Sequence, residues 1–145
     1  MGGGTPVNVS RALLWLRRLL AFMGFTDAAA GLTALLWLDG VVWISGIPEP
    51  ASTLFPQTMG LLLVSFGAVQ MLAARDPLRL PQAIGVVVLT RFAYFGLTLY
   101  HAATGSPDRF FLVFGLTDLL YNAATLSLAA GSPELGWRRI FTGRA

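Results

Sequence analysis

The sequence predicts an all-α integral membrane protein: a four-helix bundle with both termini on the cytoplasmic side. Three observations carry that expectation. The 145 residues are 55% hydrophobic and only 12% charged, with a mean hydropathy of +0.68, too apolar to keep a soluble surface wet. Four apolar segments reach the ~20 residues or so that a helix needs to cross ~30 Å of hydrocarbon. Finally, the ten basic residues are all arginine, and they gather at the ends of those segments instead of along one soluble face. The net charge of +3 therefore points to membrane topology and not to nucleic acid.

The first segment, 12–38, begins after Ser10, a residue suited to capping a helix N-terminus, and ends at Asp39 and Gly40. The second, 57–74, follows Pro56 and stops at Arg75, Asp76 and Pro77. The third, 83–103, follows Pro81. The fourth, 110–130, is set off by Thr104, Gly105, Ser106, Pro107 and Asp108, and it ends at Gly131, Ser132 and Pro133. Breaker chemistry marks every boundary and no linker is evident, so residues 1–145 read as one transmembrane domain. Residues 11–30 resemble a signal peptide, with arginines, an apolar stretch and Ala28, Ala29 and Ala30. The apolar run continues through Leu38, however, and is read as an uncleaved span. Met1 to Pro6 misses the myristoylation pattern, because Pro6 stands where Ser or Thr is required.

Orientation follows from the arginines. Eight of them (Arg11, Arg17, Arg18, Arg75, Arg79, Arg138, Arg139 and Arg144) fall on the side of the termini, and only Arg109 falls on the other. The positive-inside rule then puts both termini in the cytoplasm, with the chain crossing the membrane several times. Trp15 and Trp137 mark the inner interface, and Trp37 and Trp43 the outer. The 22 residues from Trp15 to Trp37 correspond to about 33 Å of helix. The outer loop 39–56, with Val41, Val42, Trp43 and Ile44, is too apolar for a solvated loop. It is expected to lie in the interface, cap the bundle or touch a neighbour. Trp137 to Phe141 looks amphipathic, suited to an inner leaflet where arginines meet anionic lipid; a partner-docking tail is the rival reading.

Asp27, Arg91 and Asp118 each lie near the middle of an apolar segment, where a charge is costly and normally faces inward or pairs. Arg91, Tyr94, Thr98 and His101 form one polar stripe on the third segment, and Gly115, Asp118, Asn122 and Thr125 form another on the fourth. Gly24, Asp27, Ala28 and Gly31 make a small-residue face on the first. The second segment, with Gly60, Gly67 and Gln70, reads as the most ordinary. The expected arrangement is Arg91 bridging both aspartates, since a guanidinium has five donors. With both carboxylates ionised the cluster would carry a net charge of −1, which a low dielectric disfavours. One aspartate is therefore expected to hold a proton or to bond Thr26, Thr117 or Tyr94.

Such a network has two readings, a lock that sets helix register or a working site for a proton or a polar headgroup. Tyr94, Thr98, His101 and Asn122 are the candidate ligand-lining residues. His101 is the sole histidine, so a bis-histidine haem within this chain is excluded; as a single axial ligand to haem or to a chlorophyll magnesium it is a lesser alternative to interfacial hydrogen bonding. Tyr100 and Tyr121 read as interfacial or packing aromatics. With no cysteine, disulfides and thiolate metal sites are excluded. No nucleophile elbow, phosphate loop or paired His and carboxylate set is present, so no catalytic residue is assigned.

The length, the N-in/C-in layout, the Ala73-Ala74-Arg75-Asp76-Pro77 turn, Arg91 and Asp118 together resemble the DoxX-like group of small four-helix bacterial membrane proteins. That resemblance implies a four-helix bundle acting as an accessory subunit or partner of a membrane redox system, and it carries over no catalytic residues. The expected function is an accessory or structural subunit of a larger membrane complex, redox or photosynthetic. The alternative is a small carrier or binding protein for a lipid, quinone or proton, built on Asp27, Arg91 and Asp118. Expected partners are the bilayer and a membrane protein or further copies of the chain.

Overall fold

The computed structural model describes residues 10–46, 48–104 and 109–143. Among them are six helices and no strand: α1 (Arg11–Leu36), α2 (Leu38–Ser45), α3 (Leu54–Arg75), α4 (Pro81–Ala103), α5 (Arg109–Ala130) and α6 (Gly136–Thr142). α1, α3, α4 and α5 are long and apolar enough to cross a membrane. Between 17% and 33% of each hydrophobic stretch is buried within the chain, so most of every long helix is left for lipid to cover. Backbone groups in such surroundings have no water to bond, and a helix satisfies them internally. The hydroxyls follow suit: Thr33, Thr58, Ser65 and Thr117 donate to carbonyls one turn back in their own helices, at 2.8–3.0 Å.

Two helices lie where the sequence reading places a loop and a surface segment. α1 stops at Leu36, because Trp37 leaves the helical conformation (φ −145°, ψ 59°) while its N–H still bonds the Thr33 carbonyl. α2 then forms inside the expected outer loop. Gly40 lies against the Trp37 ring, Asp39 favours the positive first turn, and Gly46 closes the helix at φ 66°. α3 starts three residues earlier than expected and holds Pro56 inside its first turn, where no backbone N–H is needed. Pro81 is the first residue of α4. α6 packs one face on the chain and leaves Trp137, Arg138 and Phe141 exposed on the other, an amphipathic helix. Ile140 is buried in the core, Arg139 donates to the Leu78 and Glu134 carbonyls, and Gly85 of α4 leaves room for the Ile140 backbone.

α1 packs along α3, and α4 along α5. The α1–α3 seam is antiparallel and built on glycine: Gly24 faces Gly67, and Gly31 faces Gly60. At the arginine-rich end the pairs share one core, with Leu13, Leu16 and Leu20 of α1 meeting Ala73, Ile84, Ala129 and Ile140. Towards the other end, the residues buried in the long helices lie within a pair: Gly31 with Gly60 in one, Thr98 against Gly115 in the other.

The chain ends are tied across this core. The Ser10 hydroxyl accepts from the Leu13 N–H and donates to Glu134, and the Ser10 N–H bonds the same carboxylate at 2.8 Å. Ser132 adds a third donor at 2.9 Å. An anion thus sits at the positive end of α1. The Glu134 carboxyl is held at about 2, below its ordinary 4.5, by its own backbone N–H, by the Ser10 N–H and hydroxyl, and by Ser132. A depressed acid stabilises the fold fully above its ordinary range, and that contribution is lost as the pH falls from about 4.5 through about 2. Hydrogen exchange at the first turn of α1 is therefore expected to accelerate across that window, and the Glu134→Gln variant is expected to show no such step.

Candidate functional site

Mid-span, all four long helices contribute to one polar cluster. Arg91 enters from α4, and its two terminal nitrogens divide between carboxylates: one pairs with Asp118 of α5, the other with Asp27 of α1 at 2.6 Å. The second nitrogen also reaches Gln70 Oε1 of α3 at 3.3 Å, while Gln70 Nε2 donates to Asp27 at 2.5 Å. The guanidinium lies between two rings, 5.8 Å from Phe66 and 5.4 Å from Tyr121. The Arg91 side chain retains 5% of its exposure, but Asp27 and Asp118 keep 18% and 16%. The cation is sealed, then, and the anions are not. They lie where the two helix pairs cease to share buried side chains.

The structure brings Asp27, Arg91 and Asp118 together and adds Gln70, which the sequence reading passed over when it judged the second segment ordinary. The available signal was a glutamine inside an apolar run, one turn after Gly67. Gln70 also takes the role expected of a threonine. Thr26 and Thr117 donate to their own helices, at Met23 and Val113, and leave the carboxylates alone. Tyr121, read as interfacial or packing, belongs to the cluster's wall and meets Phe22 edge-on at 6.4 Å.

The candidate lining residues separate. Tyr94 is partly buried, one turn beyond Arg91. Thr98 is buried, but it donates to the Phe95 carbonyl and packs on Gly115, forming part of the α4–α5 seam. His101 is exposed and rests edge-on against Tyr100, so the polar stripe of α4 faces inward only as far as Thr98. Asn122 is fully buried and crosses to α4 by donating to the Val88 carbonyl at 3.1 Å. Among the described residues, three buried side-chain polar atoms have no hydrogen-bond partner: Arg91 Nε, Asn122 Oδ1 and Thr125 Oγ1. Among the described residues, no group of three or more His, Cys, Asp or Glu side chains stands close enough to hold a metal ion.

The arrangement can tie four helices together at one depth, and it presents two partly open carboxylates beside a fixed cation. Fold and composition are those of a multi-pass membrane protein. No family model, no curated protein and no solved structure matches the chain.

Proposed function

We propose that the chain is a four-helix bundle with both termini cytoplasmic, acting as an accessory or structural subunit of a larger membrane complex. One observation carries this reading: both ends of the mid-depth guanidinium are committed to groups within the chain. Both terminal nitrogens of Arg91 are taken up by groups from the other three long helices, the pattern of a register lock. What the chain offers outward is apolar. Trp43 and Ile44 of α2 are 81% and 63% exposed, and Leu54 and Phe55 at the start of α3 are exposed as well. The resemblance to DoxX-like proteins in Arg75, Asp76, Pro77, Arg91 and Asp118 supports the same assignment, in a bacterial inner membrane.

A specific observation favours a second reading. Two carboxylates keep part of their exposure next to a buried, unpartnered Arg91 Nε, a set of groups able to hold a quinone, a lipid headgroup or a proton. Purification from the native membrane in mild detergent separates the two. A stoichiometric assembly that falls apart when this chain is deleted is expected for the subunit, whereas a lone homo-oligomer retaining lipid or quinone supports the binding protein.

The orientation has its own test. A cysteine at Ser52 is expected to react with an impermeant reagent applied outside intact cells, and one at Thr142 only after permeabilisation. The reverse pattern would overturn the N-in/C-in assignment without touching the lock.

A further inference from the structure

At the arginine-rich end, Arg17 and Arg18 of α1 and Arg75 of α3 ring an open depression of about 400 Å³ that shares no lining residue with the ionic cluster. Its floor is Ala21, Met71 and Ala74; the two alanines leave the space that larger side chains would fill. We propose that this depression binds the phosphate of an acidic phospholipid, with the first methylenes of its acyl chains lying on the apolar floor.

The charges there are uncommitted. Among the described residues the only ion pairs are those of Arg91, so no carboxylate neutralises Arg17, Arg18 or Arg75. The nearest acid in sequence, Asp76, accepts from the Arg79 N–H within its own turn. Two of the three arginines are also positioned. Arg17 Nε donates to the Ala74 carbonyl at 3.0 Å, which satisfies an orphan acceptor at the end of α3 and leaves the terminal nitrogens free. The Arg18 guanidinium stands 5.0 Å over the Trp15 ring. A phosphate entering here meets a preformed set of donors at the level of the tryptophan belt. The apolar floor decides between sources of phosphate. It contributes nothing to an inorganic ion, but Met71 of the floor and its chain neighbour Leu72 are both exposed, and acyl chains would run there.

The inference rests on the membrane reading but not on which side the arginines occupy, because a micelle presents lipid to both ends. The full chain, purified in a neutral detergent, is titrated with phosphatidylglycerol, phosphatidylcholine and inorganic phosphate, and bound species are counted by native mass spectrometry. One phosphatidylglycerol per chain is expected to survive conditions that strip phosphatidylcholine. The variant carrying Arg18→Gln and Arg75→Gln is expected to bind it about 30-fold more weakly, since each arginine near a lipid surface contributes roughly a factor of five. Arg18→Lys with Arg75→Lys is expected to restore most of the affinity. Equal retention of the two lipids by the wild-type chain, which requires no variant to fold, overturns the proposal. So does undiminished binding in the double glutamine variant. Displacement of phosphatidylglycerol by an equal concentration of inorganic phosphate overturns it too, in favour of a simple anion site.

Discussion

Arg91→Leu is expected to lower folding stability by about 3–5 kcal/mol, because it leaves two carboxylates facing each other at mid-span with no cation between them. The cost follows from the division of labour at the guanidinium, whose two ends hold different helices. Asp118 is tied from one terminal nitrogen, and Asp27 and Gln70 from the other. Removing Asp118 alone is a smaller insult, since the cation keeps Asp27. The compensating series is therefore graded. Arg91→Leu with Asp118→Asn should recover part of the loss. Adding Asp27→Asn should recover more, because it removes the last uncompensated charge while Gln70 can still bond an amide. Reversible unfolding in mixed micelles measures the series. If the single, double and triple variants unfold alike, the cluster is not a lock, and the weight moves to the second functional reading.

Gly67→Val is expected to cost about 1–3 kcal/mol or more, by forcing α1 and α3 apart. A Cβ at that position would lie 2.5 Å from the Gly24 carbonyl oxygen and 2.8 Å from the Ala28 nitrogen. Both are backbone atoms of a helix and neither can swing aside as a side chain does. The effect should reach the ionic cluster, since Gln70 stands one turn along α3 and bonds Asp27 across the same seam. Gly24→Ala is expected to act in the same direction, with its Cβ 2.7 Å from the Gly67 oxygen. Because the two glycines face each other, the second substitution should cost less than the first once the helices have parted. Gly96 is the control. It is exposed on α4 with nothing within 4 Å of its Cβ position, so Gly96→Ala should leave the fold intact or stabilise it by about 0.5–1 kcal/mol. A gain at Gly67 like that expected at Gly96 would mean that helix propensity, and not close approach, governs both.

The sequence alone carried the helical class and the four long segments, because hydrocarbon leaves the backbone no partner but itself and ~20 apolar residues record that demand directly. It also carried the convergence of Asp27, Arg91 and Asp118, since an isolated charge at that depth must find another. Tertiary structure decided the rest. Gln70 looked incidental, because a neutral amide breaks hydropathy little, and only the glycine-close approach of α3 to α1 brings it within reach of Asp27. α2 escaped notice because a helix of 8 residues is too short to show a period, and the 7 residues of α6 were legible only as an amphipathic stretch. They exist by packing, on the Trp37 ring and at the Ile140 pocket. The Ser10–Glu134 tie joins residues 124 apart, which no local pattern encodes. Periodicity says which residues share a helix face. The rotation of one helix against its neighbour, and so which faces meet, is set by side-chain volume and close approach in three dimensions.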